Sequence, residues 1–365
     1  MAIDFTMERW KRIKADSRKW WSGEFERPLI QIGMGGRETK RAKPDLPYHH
    51  FQSFYDFSVP VDRIVDWWEY HLDTQAFAGD SFPHVIPYFG PGIAAAFMGA
   101  NVKNETGTTW FQPKEVVPAS QLHLQHDPRS PWWPRVCDLY RAAKRRFGDL
   151  VQIDMTDLGG GVDILATFRP DERLLYDLYD APAEVKRATW EGHELWWYYF
   201  DQINALIQPG NPGYTAWASI FSEEPYYMLQ CDFCYMIGPE MFDEFVKPEL
   251  AASCKRMKNA FYHLDGIGQL PHLDSLLTIP ELKGIQWVPG DGQPDITNWP
   301  DVYRKIHRAG KRIQIFQSQS AKGWDALDII ADQIGTAKGI VMLGGVDIKQ
   351  QDAALRFLDK YGAAG

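Results

Sequence analysis

The sequence predicts an α/β protein, a closed (β/α)₈ TIM barrel with an N-terminal helical arm and an inserted cap after the second strand. Eight short apolar runs alternate with eight helix-like segments. Several of the runs end on polar residues that lead into glycine-rich loops, as in His263-Leu-Asp265-Gly. An open doubly wound sheet rarely shows so even a count, so the alternation favours a closed barrel.

The chain begins with a helix-like segment at 5–25, which carries Trp10, Ile13 and Trp20 on one side. We expect residues 1–26 to form an arm that covers the barrel bottom or an interface, and residues 27–365 to form the barrel. The predicted strands are 28–34, 83–89, 150–155, 214–221, 260–264, 284–288, 312–317 and 339–343. The predicted helices are 61–77, 132–147, 183–207, 239–257, 273–277, 299–309, 324–334 and 348–361. The stretch EEPYYMLQ at 223–230 is interpreted as a turn.

The segment 90–131 has no counterpart in a plain barrel. It reads GPGIAAAFMGAN and then NETGTTWFQP, and it is too long for a simple connection. We therefore expect it to form a cap over the barrel mouth.

Composition excludes several classes of protein. The 365 residues carry a formal net charge of −9, which argues against a nucleic-acid-binding surface. The apolar runs are shorter than the roughly 18 residues of a membrane span, and the charged, aromatic N-terminus does not resemble an export signal. Four scattered cysteines favour a reducing compartment over a disulfide framework, so we expect a cytoplasmic protein without a membrane partner.

The strongest candidate site lies at the end of the fifth predicted strand. His263 and Asp265 alternate along this strand, so both side chains can point the same way. They suit a metal site or a general base with its partner, since chemistry in such barrels lies at the carboxyl ends of strands. The alternative is structural, with His263 bonded to a carbonyl and Asp265 capping the next turn.

Other candidates follow the remaining strand ends. Asp154 leaves the third strand in QIDMTDLGGG, where the glycines permit close backbone approach to a ligand. Asp232 lies inside a C-x-x-C, for which two buried cysteines are a simpler interpretation than structural zinc. The remaining candidate substrate contacts are Arg37, Trp110, Gln286, Trp287, Asp291, Gly345 and Asp347. No phosphate-binding loop, G-x-S-x-G elbow, H-E-x-x-H or dinucleotide fingerprint is present.

Several stretches resemble the uroporphyrinogen decarboxylase superfamily, which includes the corrinoid-linked methyltransferases. They are CDFCYMIGPEMFDEFVKPEL at 231–250, FYHLDG at 261–266, VMLGGVD at 341–347 and GGVDILATFRPDERLLYDLYDAP at 160–182. The resemblance covers roughly residues 75–361. It implies a TIM barrel that carries out either methyl transfer or decarboxylation.

The departures from the family pattern bear on the reaction. The decarboxylases hold substrate carboxylates with an Arg-Gln-Ala-Gly-Arg stretch, which here reads GMGGRETKRAKP and keeps Arg37, Lys40 and Arg41. The methyltransferases hold zinc with His, Cys and a later Cys, whereas here Asp265 replaces the first Cys and no Cys follows residue 254. A His and Asp set still suits zinc, but it makes a thiol acceptor less obvious. The chain shows no corrinoid-binding module, so a corrinoid would arrive on a partner protein.

We therefore expect methyl transfer between a small polar substrate and a separate corrinoid protein. His263 and Asp265 would bind zinc or activate an oxygen, Asp232 and Asp154 would orient the substrate, and Trp110 and Trp287 would supply apolar walls. The first alternative is a decarboxylase that acts on a tetrapyrrole without metal or cofactor, using Arg37. The second is a non-catalytic protein that binds a corrinoid or a sugar-like ligand. The aromatic arm and helices are also compatible with a homodimer.

Overall fold

Parallel strands form the centre of the fold in the computed structural model, which describes residues 3–105 and 107–364. In chain order the strands are β1 Leu29–Gly35, β2 Gln75–Gly79, β3 His84–Val85, β4 Asn101–Glu105, β5 Thr108–Gln112, β6 Gln152–Ile153, β7 Tyr226–Gln230, β8 Asn259–Asp265, β9 Leu282–Val288, β10 Arg312–Phe316 and β11 Ile340–Asp347. The main sheet has seven strands in the order β2-β1-β11-β10-β9-β8-β7. Its strands run parallel except for β2, which is antiparallel to β1. Two further pairs stand apart, the parallel β3-β6 and the antiparallel β4-β5.

Helices follow most of the strands. They are α1 Met7–Ser22, α2 Val61–Asp73, α3 Ala94–Phe97, α4 Trp132–Phe147, α5 Gly161–Phe168, α6 Arg173–Asp180, α7 Pro182–Ile207, α8 Pro239–Met241, α9 Lys247–Arg256, α10 Leu273–Leu277, α11 Pro300–Arg308, α12 Asp325–Ile334 and α13 Gln351–Lys360. A π-helical turn, Phe242–Val246, joins α8 to α9. Short 3₁₀ turns occupy Gln52–Phe54, Ala119–Gln121, Asp232–Met236, Ile267–His272, Ile296–Asn298, Gln317–Gln319 and Ile348–Gln350. Within the described ranges, no helix is both long and apolar enough to cross a membrane.

The strands are buried because both of their faces are covered. All five residues of β7 are buried, and Phe261 of β8 and Ile285 of β9 have no exposed surface. Parallel strands buried on both faces are typically continuous apolar runs, as these are. The register pairs His263 with Gln230 of β7 on one side and with Gln286 of β9 on the other. The carboxyl ends of these three strands therefore meet at one edge.

The N-terminal helix packs at the opposite edge, where the strands begin. Thr6 caps α1 by accepting a hydrogen bond from the Arg9 amide, and Gly23 ends the helix in the left-handed conformation. The Trp10 indole donates to the Leu150 carbonyl at 2.8 Å, just before β6. Trp20 stacks against Phe261 with ring centres 6.2 Å apart. The three residues that the amphipathic pattern singled out in this helix are all buried.

The segment 90–131 contains α3 and the β4-β5 hairpin. The Thr109 hydroxyl forms a 2.8 Å hydrogen bond with the Ser53 hydroxyl, which ties the hairpin to the loop after β1. Arg169, at the end of α5, forms a buried ion pair with Asp177 and also donates to the carbonyl of Val117. These contacts tie the segment to the loop after β1 and to the end of α5.

Seven of the eight predicted strands overlap observed strands, and the prediction of a strand at 214–221 is wrong. In that segment the chain folds back, with only an isolated antiparallel bridge between Tyr214 and Ser222. The fourth parallel strand is instead β7, within the stretch that we interpreted as a turn. The end of the predicted helix 61–77 is also wrong, because residues 75–79 form β2. Both errors arise because the secondary structure of a short apolar segment is ambiguous from sequence alone and depends on which strand it pairs with.

The hydrogen-bonded ladders show a mostly parallel α/β sheet. Within the described residues these ladders do not close it into a ring, since its two end strands are β2 and β7 and the β3-β6 pair stands separately. The amide of Met155, two residues after β6, donates to the Thr215 carbonyl at 3.0 Å. The folded-back segment therefore lies beside β6, where it meets the end of that short strand.

Candidate functional site

Three side chains converge at the carboxyl ends of β7 and β8. His263 and Asp265 project from the same side of β8, and the Nε2 of His263 lies 3.5 Å from the Oδ2 of Asp265. Asp232, in the 3₁₀ turn after β7, completes the group. One ligand atom from each residue lies within 4.8 Å of the other two. The group Asp232, His263 and Asp265, hereafter the acid-imidazole cluster, therefore brings three potential metal ligands together.

The imidazole of His263 is oriented by the side-chain amide of Gln286, which is held in turn by the side-chain amide of Gln314. The Nδ1 of His263 forms a hydrogen bond with the Oε1 of Gln286, and the Nε2 of Gln286 donates to the Oε1 of Gln314. Because the Gln286 oxygen is an acceptor, the proton of neutral His263 lies on Nδ1 and the Nε2 lone pair faces Asp265. Trp217 and the imidazole also pack in a T-shaped arrangement, with ring centroids 5.0 Å apart at 87°. Support of this kind is what metal-binding histidines receive from their neighbours.

Charge at the cluster favours cations. Burial alone would lower the pKa of His263, but the hydrogen bond and charge of Asp265 and the charge of Asp232 outweigh it, so the pKa is raised. Burial raises the pKa of Asp232, against the opposing effect of His263 and with a further upward contribution from Asp265. One imidazole thus faces two carboxylates, and a bound cation would relieve the repulsion between them.

Asp163, which is not among the site residues predicted from the sequence, holds Asp232 in place. Its two carboxylate oxygens accept hydrogen bonds from the amides of Asp232, at 3.0 Å, and Phe233, at 2.9 Å. Burial and the charge of Asp232 nevertheless raise the pKa of Asp163. The only sequence signal was its position after three glycines in the stretch that resembles the decarboxylase superfamily.

The three glycines allow close approach, but to protein backbone. A Cβ at Gly160 would lie 2.2 Å from the Gln230 carbonyl oxygen, and one at Gly159, where φ is +83°, would lie 2.7 Å from the Cα of Gly92. The loop after β6 is therefore pressed between β7 and the segment 90–131. Asp157 lies buried at the start of this loop, and burial raises its pKa to about 7. The Gly159 amide donates to its carboxylate at 2.9 Å.

Two cavities border the acid-imidazole cluster. The first, of about 180 Å³, reaches Asp232 and Asp163 and is bounded by the hairpin residues Trp110 and Phe111. The second, of about 460 Å³, reaches Asp265 and is lined by the loop after β9, which includes Asp291. The cluster therefore separates two spaces, with an aromatic wall on the first and a polar loop on the second. Among the sequence candidates, these positions bring Asp232, His263, Asp265, Trp110, Gln286 and Asp291 to one region.

The other candidates lie elsewhere. Asp154 is 1% exposed and forms a hydrogen bond with His84. Gly345 lines a third cavity, which His84 also lines. Trp287 is buried against Trp299 on the other side of β9 from Gln286, because alternate residues of a strand face opposite ways.

Two candidates lie beyond these cavities. Arg37 lines a separate cavity of about 490 Å³ with Lys40 and Arg41. Asp347 caps the turn that follows β11 by accepting a hydrogen bond from the Lys349 amide at 2.9 Å.

The two cysteines that flank Asp232 do not form a disulfide. Cys231 and Cys234 are both free and buried, and burial raises the pKa of each thiol. A buried thiol with a raised pKa is a poor metal ligand at neutral pH, because the thiolate is the ligand. Asp232 itself is exposed.

Comparison with solved structures finds chains with a similar fold. No protein-family model and no curated protein matches the sequence. A methyltransferase from Methanosarcina mazei superposes on 77% of this chain and 81% of its own, with a TM-score of 0.54 and 13% sequence identity. At that identity, the likeness shows a shared α/β fold.

Proposed function

We propose that this protein is a metal-dependent methyltransferase that passes a methyl group between a small polar substrate and a corrinoid carried by a separate protein. The observation that carries the proposal is the acid-imidazole cluster, three ligand atoms within 4.8 Å at the carboxyl ends of adjacent parallel strands. The fold likeness to the Methanosarcina mazei methyltransferase and the resemblance of four sequence stretches to the decarboxylase superfamily support it.

The ligand set fits zinc. Two nitrogen or oxygen ligands of a tetrahedral zinc ion lie about 3.4 Å apart, given bond lengths near 2.1 Å. The His263 Nε2 to Asp265 Oδ2 distance of 3.5 Å matches that spacing. Asp232 is exposed, so its side chain is not fixed by packing and would supply the third ligand. Three protein ligands leave a fourth position for substrate, as catalytic zinc sites do.

When bound, zinc would act as a Lewis acid toward an oxygen or nitrogen of the substrate. The chain's own residues supply orientation and the surrounding walls. Gln286 and Gln314 hold His263, Asp163 holds Asp232, and Trp110 closes one side of the first cavity. Because the cluster lies between two cavities, we place the substrate in one and the incoming methyl carrier in the other.

We also infer that β1, β3, β6 and β7 to β11 make up a distorted (β/α)₈ barrel. These eight strands are the parallel ones, they follow each other in chain order, and β11 pairs with β1 to bring the last unit beside the first. In such barrels the active site is at the carboxyl ends of the strands, where the acid-imidazole cluster lies.

The charge of the site favours methyl transfer over tetrapyrrole decarboxylation. Asp232 and Asp163 face the first cavity, and none of its lining residues in the described structure is a Lys, Arg or His. A substrate with many carboxylates would meet like charge there. Arg37, which the decarboxylation hypothesis requires, lines a different cavity.

Metal analysis of the purified chain tests the proposal. We expect about one zinc per chain in the wild type and less than a tenth of that in His263→Ala and in Asp265→Ala. Asp274→Ala is the matched control, because Asp274 is an exposed carboxylate paired with Lys305. We then expect the zinc-loaded wild type to form methylcobalamin from cob(I)alamin and a panel of methylated oxygen and nitrogen compounds. Wild-type protein that binds no stoichiometric divalent metal would overturn the proposal.

A further inference from the structure

The third cavity, which His84 and Gly345 line, lies near the carboxyl ends of β1 and β11, and no residue of the acid-imidazole cluster is part of its lining. It has a volume of about 340 Å³. Its polar lining includes Gln31, Ser81, Ser219 and Ser318, and its apolar lining includes Phe77 and Phe82. Among its lining residues in the described structure, His84 is the one side chain that titrates near neutral pH.

His84 is held from behind by a buried carboxylate. Its Nδ1 lies 2.6 Å from the Oδ2 of Asp154, which is 1% exposed. The hydroxyl of Thr215 donates to the other oxygen of Asp154. Asp154 therefore has both oxygens occupied and is fixed on the side of the ring away from the cavity.

The other ring nitrogen of His84 faces open space. Its side chain is 35% exposed, although the residue lines a cavity within the protein. Within residues 3–105 and 107–364, no hydrogen bond to its Nε2 is present. The Nε2–H of His84 is therefore available to donate a hydrogen bond to a ligand.

We propose that His84 is the anchor of a second binding site, which takes the carboxylate of a small molecule that has an apolar body. An imidazolium Nε2–H donates a charge-assisted hydrogen bond to a carboxylate oxygen. The ligand carboxylate would lie closer to the imidazolium than to Asp154, so attraction outweighs repulsion. The serine and glutamine side chains can bond the second oxygen, and the phenylalanines can cover the apolar body.

Protonation of His84 supports this assignment. Burial alone would lower its pKa, but the charge and hydrogen bond of Asp154 outweigh burial, so the pKa is raised. Asp154 is the titratable side chain that contacts the ring, and the remaining lining residues carry no charge. The contact with Asp154 therefore favours the imidazolium form of His84, and a bound anion would favour that form further.

The site is independent of the proposed methyl transfer, because neither His84 nor Asp154 belongs to the acid-imidazole cluster. Gly345, a substrate contact predicted from the sequence, lines this third cavity. A Cβ there would come 3.2 Å from the Gly33 carbonyl oxygen, so a side chain would narrow the space between β11 and β1.

Three isosteric probes test the proposal on metal-free protein: benzoate, benzamide and benzamidinium. At about pH 6 we expect benzoate to bind about tenfold more tightly than benzamide, as one charged hydrogen bond allows, and benzamidinium to bind more weakly than either. The preference for benzoate should vanish as the pH rises through the pKa of His84. Calorimetry gives the affinities.

His84→Gln should abolish the preference for benzoate and leave benzamide binding within twofold. His123→Gln is the matched control, because His123 also contacts a carboxylate, Glu191, but lies on the surface. Equal affinities for the three probes, no binding of any, or discrimination that survives His84→Gln would overturn the proposal. If His84→Gln does not fold, an NMR titration of wild-type His84 decides: benzoate should raise its pKa, and benzamide should not.

Discussion

The Nε2 of His263 lies 3.5 Å from the Oδ2 of Asp265, two residues along the same strand, and this contact raises the pKa of the imidazole. Asp265→Asn removes the charge and keeps the shape. We therefore expect the pKa of His263 to fall in this variant, which an NMR titration of the imidazole measures. Asp274→Asn, on the exposed face of α10, should leave it unchanged.

The sign of the accompanying stability change follows from linkage. A histidine whose pKa is raised by folding stabilises the native state fully below its unfolded value near 6.5, and this contribution is lost as pH rises through the folded pKa. Asp265→Asn should therefore destabilise the metal-free protein more at pH 6 than at pH 9. Equal losses of stability at pH 6 and pH 9 would contradict the conclusion that Asp265 raises the pKa of His263.

Asp163 should matter for metal binding although it is not a ligand. Asp163→Asn retains one oxygen but turns an NH₂ group toward one of the two amides that the carboxylate now accepts from. The turn that carries Asp232 should loosen, and zinc affinity should fall about 10- to 100-fold, as for other residues that support ligands. Competition with a chelator measures the affinity, and Asp171→Asn, an exposed change, serves as control.

Asp157 should destabilise the protein at neutral and alkaline pH. Its pKa is raised from 3.8 to about 7, so the native state binds this proton more tightly than the unfolded chain. The protonated carboxyl of Asp157 stabilises the native state fully below pH 3.8. This contribution to the free energy of unfolding is lost as pH rises through 7, by roughly 4 kcal/mol at most. Asp157→Asn should thus be more stable than wild type at pH 8 and lose that advantage near pH 4.

Urea unfolding across this pH range checks the prediction. Asp149→Asn, at an exposed position just before β6, provides the control. A stability difference between Asp157→Asn and wild type that does not vary with pH would show that Asp157 is not the titrating group.

Breaking the buried ion pair at the end of α5 should cost far more free energy of unfolding than breaking the exposed ion pair nearby. Arg169 and Asp177 are 9% and 8% exposed, and the Nη2 to Oδ1 distance is 2.9 Å. Arg169→Met leaves the Asp177 charge buried without a partner, which should cost about 3 to 5 kcal/mol in the free energy of unfolding. Arg173→Met breaks the exposed pair with Asp171 and should cost under about 1 kcal/mol.

Chemical denaturation gives both values, and limited proteolysis reports the segment 90–131. Because Arg169 also donates to the Val117 carbonyl, Arg169→Met should expose this segment to protease before the strands unfold. Equal losses for Arg169→Met and Arg173→Met would mean that the buried pair contributes no more than a surface one.

Local pattern was sufficient to place most of the α/β elements. Apolar runs bounded by glycine and proline correspond to β1, β8, β9, β10 and β11, and the side of α1 that carries Trp10 and Trp20 is buried as its periodicity predicts. Alternation along a strand also placed His263 and Asp265 on one side of β8. Such features depend only on residues close in the chain, which is why sequence alone predicts them.

Pairing between distant segments decided the rest. Either 214–221 or 226–230 could have been the fourth parallel strand, and only the ladder with β8 selected the second. The same holds at the sites: Asp163 reaches Asp232 across 69 positions and His84 reaches Asp154 across 70. The sequence by itself determined which residues could carry chemistry at each strand end. The tertiary structure decided which of them share a cavity. Hydrogen bonds and packing between segments that are distant in the chain produce no periodic pattern in the sequence, so sequence alone does not predict them.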